Sequence, residues 1–345
     1  MALLGSSCIM VQKYQCKICG SYFSSPIFGK ERYNTDVVRE AVELYYDTRG
    51  SYRRVMKALR RRGVKVSHVQ IYRWIDKLGA SCKSTVDVAR ELCPKWSSFL
   101  GLDSKVVKVG GRELILLVAV DLGTQDLVHS NLVEHEDYDT LSFFLFDLKR
   151  KIGYEPKMVV IDLDPAWIKA VREIFPDVPL QGCVVHMERI VDRAMPKRKR
   201  TKAQEELKDL IRQVLYAKTL KDSRKAFHEL LDRRDEWRDA SSKSAISTIL
   251  GNYPIITAHF RVKGSYRDNN ITESAIDKIE TKLKIVRGFK KESTAVHSLR
   301  LAIMHYRFNP FLSSKSGNNG KSPLMLAGVD TSKIDWVLYS QVTQM

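Results

Sequence analysis

The sequence predicts an α/β protein: a mixed sheet with a helical insertion, preceded by an all-α helix-turn-helix domain. Three observations predict it. Apolar residues recur at helical spacing from Thr35 to Leu78. At Ser97 the pattern changes to extended apolar runs broken by Gly110-Gly111 and Leu122-Gly-Thr turns. After residue 187 the helical period returns and runs, with interruptions, to the end.

Composition sets the bounds. The chain has 345 residues, 44% hydrophobic and 28% charged, which suits two or three domains and excludes wholesale disorder. The longest apolar run, Leu114 to Val120, is far shorter than the roughly 20 residues of a membrane span. Met1 to Cys8 lacks a basic start and a long apolar stretch, so a cytoplasmic protein without a secretory signal is expected. Lys and Arg number 58 against 40 Asp and Glu, a net charge of +18 that points to nucleic acid as partner. The six cysteines do not suggest a disulfide framework without a secretory signal. Cys16-Lys-Ile-Cys19-Gly20 reads as half of a zinc knuckle in an N-terminal arm of residues 1–33. Cys16 and Cys19 are therefore candidate Zn²⁺ ligands, against the alternative of two free thiols.

Residues 34–80 form the predicted reader of DNA. Val37, Val38, Ala41, Val42 and Tyr45 define a first amphipathic helix capped by Asn34 or Thr35. Gly50-Ser51 breaks the chain. Val55, Met56 and Leu59 mark a second helix, and Ser67 caps a third carrying Ile71, Tyr72, Trp74, Ile75 and Leu78. Arg53, Arg54, Lys57, Arg60, Arg61, Arg62 and Lys65 place seven basic residues in thirteen, a density suited to a phosphate backbone. Ser67, His68, Gln70 and Arg73 begin the third helix, where base edges are read. Residues 81–96 are expected to be a linker.

Three strands follow: Phe99 to Val109, Glu113 to Asp121 and Leu127 to Val133. A helix through Leu141, Phe144, Leu145 and Leu148 ends near Gly153. Met158 to Asp162 is a fourth strand, Pro165 to Phe175 a helix, and Leu180 to Val185 a fifth strand. Three antiparallel strands, a helix, then strand–helix–strand is the order of a ribonuclease-H-like fold. Residues 97–186 are its first part, 187–265 the helical insertion, and 266–345 its closing helices and tail.

In that topology the first and fourth strands are neighbours. Asp103 on one and Asp162 on the other can face two divalent metals about 4 Å apart, which clamp the oxygens of a phosphodiester displacement. Asp121 is the alternative to Asp103 and reads as a turn residue; Asp164 is the alternative to Asp162. The third carboxylate comes from the helix beginning at Asn269 or Asn270. Glu273, near its start, is the first choice, and Glu280, two turns on, the second. Lys278, Lys282 and Arg287 are expected to hold phosphates beside it, and the run Lys197, Arg198, Lys199 and Arg200 to line the DNA groove. His186 reads as a metal ligand, a base or a structural neighbour of the site, and Cys183 as a structural residue near the site, packed in the core. Trp237 reads as a buried helix residue or a stacking platform.

These residues resemble the DDE transposases of prokaryotic insertion sequences. The blocks that carry the likeness are Leu102-Asp-Ser-Lys to Asp121, Val160-Ile-Asp-Leu-Asp-Pro, Cys183-Val-Val-His186 with Arg189, Asn270-Ile-Thr-Glu273 with Arg287-Gly-Phe289, and Tyr306-Arg-Phe-Asn-Pro310 to Gly328. The C-x-x-H element and the long interval before Glu273 are similar to Mutator-like members. The resemblance implies a triad of Asp103, Asp162 and Glu273, two Mg²⁺ or Mn²⁺ ions, and cleavage and transfer of DNA strands at transposon ends. It also implies a homodimer or larger complex near the nucleoid. Another ribonuclease-H-like nuclease and a domesticated, inactive DNA-binding regulator are the alternatives.

Overall fold

The computed structural model describes all residues except 1–12, 16–21, 25–32, 49, 196–199, 287, 315–316 and 342–345, with backbone alone at 13–15, 22–24 and 282–285. Strands β1 (Lys13–Gln15) and β2 (Tyr22–Ser24) pair antiparallel on either side of Cys16 and Cys19, which lie outside the described residues. Helices α1 (Thr35–Asp47), α2 (Tyr52–Arg61) and α3 (His68–Ala80) follow, as the apolar spacing predicts. The side chain of Asn34 accepts from Asp36 N, and Ser67 Oγ accepts from Gln70 N, each satisfying an N–H that a helix start leaves free. Val38, Val42, Val55, Leu59, Ile71 and Trp74 bury their common core.

The expected linker differs from expectation: it holds α4 (Thr85–Leu92), with Ser84 and Asp87 in a reciprocal capping box. At 8 residues the helix is too short for its period to stand out. Next come β3 (Phe99–Val109), β4 (Arg112–Asp121), β5 (Leu127–Val133) and α5 (Tyr138–Asp147), which runs on as a π-helical turn to Gly153. Then β6 (Met158–Ile161), α6 (Pro165–Ile174), β7 (Leu180–Gly182) and α7 (Val184–Ala194) complete the αβ core. The strand order is β5-β4-β3-β6-β7, with β3, β4 and β5 antiparallel and β6 and β7 parallel to β3. This is the ribonuclease-H-like sheet. The fifth strand is shorter than Leu180 to Val185: it stops at Gly182, and Val184 and Val185 open a helix. Two β-branched residues read as strand, but Cys183 N is held by Ile161 O and Val184 N by Arg267 O, which turns the chain away.

Helices α8 (Lys202–Leu215), α9 (Leu220–Asp232) and α10 (Ala240–Ile256) pack with α7 around Leu207, Ile211, Leu230 and Ile249. Trp237 lies in this core just beyond α9 and a 3-10 turn, not within a helix. It is 2% exposed and donates Nε1–H to Ala203 O, so no face is left for a base. Helices α11 (Asn270–Val286), α12 (Glu292–Phe308), α13 (Pro323–Leu326) and α14 (Trp336–Tyr339) close the chain.

Helix α12 ties α1 and α3 to the sheet. His297 Nδ1 lies 2.8 Å from Asp76 on α3, and His305 Nε2 lies 2.8 Å from Asp47 at the end of α1. The two histidines thus join α12 to α3 and to the end of α1. Arg307, fully buried, grips buried Asp126 through Nε and Nη2, both at 2.8 Å. One apolar cluster runs from the three-helix core through α12 to the sheet. Among the described residues no helix is long and apolar enough to cross a membrane.

Candidate active site

Alternation along the strands decides which carboxylates meet. Leu100, Leu102, Val159 and Ile161 face α5 and α6 in one core cluster. The residues between them, Gly101, Asp103 and Val160, with Asp162 next in line, fall on the other face. The parallel register pairs Gly101 with Val160. Two residues further along each strand are Asp103 and Asp162, side by side where the strands end their pairing.

That face is covered by the start of α11. A Cβ built on Gly101 would stand 2.1 Å from Thr272 Oγ1 and 2.7 Å from Asn269 Oδ1, so only glycine lets the helix come this close. Buried Asn269 locks the approach, donating Nδ2–H to Leu102 O at 2.7 Å. Glu273, in the first turn, is thereby carried over the strand ends. Helix α7 supplies the fourth wall. His186 Nδ1 lies 2.8 Å from Asp162 Oδ1, and its Nε2 lies 3.6 Å from Glu273 Oε1, so the imidazole bridges two carboxylates. Arg189, one turn on, reaches Glu273 Oε1 at 3.3 Å and His186 Nε2 at 3.2 Å.

The electrostatics are those of a site short of positive charge. Burial first, then the neighbouring Asp162 charge, push Asp103 up to about 7. The close Asp162 carboxylate, then Cys183, push His186 up to about 10. Asp162 and His186 form an ion pair at 2.8 Å whose geometry is poorly aligned: neither buried atom has a well-aligned hydrogen-bond partner among the described residues. Three converging carboxylates, one of them desolvated, fit hard divalent cations with oxygen ligands. Asp162, Cys183 and His186 also offer donor atoms within 4.8 Å of one another.

The alternative carboxylates are occupied elsewhere. Asp121 is fully buried and accepts from Ser97 Oγ, Ser98 N, Thr124 N, Thr124 Oγ1 and Tyr154 OH at 2.7–3.0 Å. Asp164 caps α6 through Ala166 N and Trp167 N. Glu280 pairs with Lys105 at 3.2 Å, away from His186.

Arg53, Arg54, Lys57, Arg60, Arg61 and Arg62 on α2 and its end, with Arg73 on α3, are exposed. Arg62 is also paired with Glu40. Ser67 is exposed with its oxygen engaged as a cap, and His68 and Gln70 are half-buried beside it. Lys278 does not face Glu273: it lies about 140° round α11, with Nζ 3.9 Å above the Phe311 ring. Arg200 lies 3.4 Å from Asp192. Lys197, Arg198, Lys199 and Arg287 lie outside the described residues, as does the Lys282 side chain. Cys183, expected in the core near the site, is fully buried and lies beside Asp162 and His186.

The sheet order and the helices around it define a ribonuclease-H-like protein with an acidic cleft at its strand ends. The model for "Transposase, Mutator family" matches residues 17–309, and the chain belongs to that family. It is 26% identical over 148 residues to the transposase for insertion sequence-like element IS431mec of Staphylococcus aureus, covering 43% of this chain and 63% of that one. The transposase for insertion sequence element IS257 in transposon Tn4003 of Staphylococcus aureus matches at the same identity and coverage. The chain thus spans less than two thirds of these relatives' length.

Proposed function

We propose that this protein is a metal-dependent insertion-sequence transposase that binds the terminal inverted repeats of its element, cleaves DNA strands and transfers them. The observation that carries the reading is the convergence of Asp103, Asp162 and Glu273 from β3, the end of β6 and α11, with Asp103 desolvated. We assign the ligation of two Mg²⁺ or Mn²⁺ ions to these three carboxylates. When bound, the ions supply Lewis acidity and neutralise charge on the attacking and leaving oxygens.

The protein's own groups do the rest. Asn269 and Gly101 hold Glu273 over the strands. His186 orients Asp162 and Glu273 from one side and offsets part of their charge. Arg189 is exposed at the rim and meets the phosphate backbone entering the cleft. Water and then a DNA 3′-hydroxyl serve as nucleophiles, so no Ser or Tyr is needed. The exposed cations of α2 bind phosphates, and α3 reads bases. Synapsis of two transposon ends calls for a homodimer or larger assembly. We also propose residues 34–80 as the DNA-reading domain and 187–265 as an insertion in the catalytic domain.

The test is cleavage of oligonucleotides bearing candidate element ends, with Mg²⁺, for wild type and Asp162→Asn. Loss of at least about 10³-fold in cleavage with end binding retained is expected. Equal nicking by both proteins refutes the triad. Specific binding without cleavage by wild type favours an inactive regulator.

A further inference from the structure

We propose that Asp162, Cys183 and His186 form a binding site for a thiophilic divalent cation of the Zn²⁺ type, distinct in chemistry from the carboxylate site and overlapping it at Asp162. The three donor atoms lie within 4.8 Å of one another. A tetrahedral ion with ligand bonds of about 2.0–2.3 Å holds its donors about 3.3–3.7 Å apart, so modest side-chain movement closes the shell. Local structure pre-arranges the donors. Cys183 sits at the N-cap of α7 and His186 three residues on, so one turn of helix presents both on the same side. Asp162 is delivered from the end of β6, and Ile161 O holds Cys183 N at 2.8 Å, bringing the cysteine to that strand end.

The unmet bonding of these groups favours a cation. Asp162 Oδ1 and His186 Nδ1 are buried and 2.8 Å apart, and neither has a well-aligned hydrogen-bond partner among the described residues. Cys183 Sγ accepts a long bond from Asn269 N at 3.4 Å, an N–H···S contact that a metal thiolate keeps, and lies beside His186. A sulfur, an imidazole nitrogen and one carboxylate oxygen select Zn²⁺ over Mg²⁺, which demands oxygen and near-octahedral geometry. Part of Asp162 and His186 is open to solvent, at 32% and 21% side-chain exposure, so a small ion has an entry path and a water can complete four-coordination. An ion held there takes an oxygen of Asp162 from the hard-metal site. Zn²⁺ would therefore inhibit strand cleavage by displacement, and this consequence rests on the function proposed above, whereas the binding does not.

The experiment uses the full-length, metal-free protein titrated with Co²⁺, whose thiolate charge-transfer and tetrahedral visible bands report Cys and His ligation. Cys16→Ser/Cys19→Ser separates the N-terminal thiols. Cys183→Ser keeps an acceptor for Asn269, and His186→Gln is a second, more exposed variant; circular dichroism checks that each is folded. One equivalent of Co²⁺ should give the bands in wild type and in Cys16→Ser/Cys19→Ser. The charge-transfer band should vanish in Cys183→Ser, the visible bands should weaken in His186→Gln, and Zn²⁺ should displace Co²⁺ one for one. Bands that survive in Cys183→Ser, or that vanish in Cys16→Ser/Cys19→Ser, overturn the proposal. In Mg²⁺-driven cleavage, Cys183→Ser should need at least about tenfold more Zn²⁺ for half-inhibition. A wild type that cleaves nothing with Mg²⁺ counts against the proposed function, and the cobalt bands then decide the site alone.

Discussion

Asp103→Asn is expected to make the metal-free protein more stable while abolishing its strand chemistry. The carboxyl is buried and faces Asp162 and Glu273, which move it from the ordinary 3.8 to about 7. At 1.36 kcal/mol per tenfold change, holding it ionised costs the fold at most about 4 kcal/mol. Because the folded value is raised, the cost is absent below pH 4. It grows as pH rises from about 4 to about 7 and is constant above. Asparagine has the same shape and no charge. At pH 8 with chelator, the variant should melt several degrees above wild type, at about 2–4 °C per kcal/mol; at pH 4 the two should melt together. Asp121→Asn is the control of opposite sign. It breaks a buried carboxylate with five hydrogen-bonding partners and should cost about 3 kcal/mol. Thermal melts by circular dichroism from pH 4 to 8, with chelator, give both signs. An Asp103→Asn protein that melts at or below wild type at pH 8 would falsify the account of Asp103 as a desolvated member of an acidic cluster.

Asp126→Asn should cost about 3–5 kcal/mol, because it leaves the guanidinium of Arg307 buried without its counter-charge; denaturant unfolding measures it, and a change below about 1 kcal/mol would show that the pair is dispensable. Burial lowers His129 to about 4, so wild-type stability should fall as pH drops from 6.5 to about 4. His129→Gln should flatten that segment of the pH–stability curve by up to about 3 kcal/mol, and identical curves would refute a neutral buried imidazole. Gly101→Ala places a methyl 2.1 Å from Thr272 Oγ1; it should push α11 off β3 and lower cleavage more than DNA binding, measured by paired cleavage and gel-shift assays.

How much of this was legible in the chain depends on range. Local periods and caps were: Asn34 and Ser67 cap the helices that apolar spacing marked, and the succession of strands and helices gave the fold in which β3 and β6 are neighbours. Asp162 was legible because it ends a strand and precedes Pro165, which starts a helix. The C-terminal limit of β7 was not, because Val184 and Val185 favour extended backbone, and Ile161 O and Arg267 O, both distant in the chain, turn them into a helix. Helix α4 was hidden by its shortness.

By itself the sequence determined the succession of the longer elements, the basic density of α2 and the three carboxylates worth testing, since each follows from local spacing and charge. Tertiary structure alone decided which acids share a cleft. Asp121 and Glu280 carry the same chemistry as Asp103 and Glu273, but Asp121 is consumed by Ser97, Thr124 and Tyr154, and Glu280 by Lys105. It also decided that Cys183 stands beside Asp162 and that His297 and His305 face Asp76 and Asp47. The physical reason is that a carboxylate's role is set by its partners within a few ångströms, and those partners arrive from strands and helices distant in the chain.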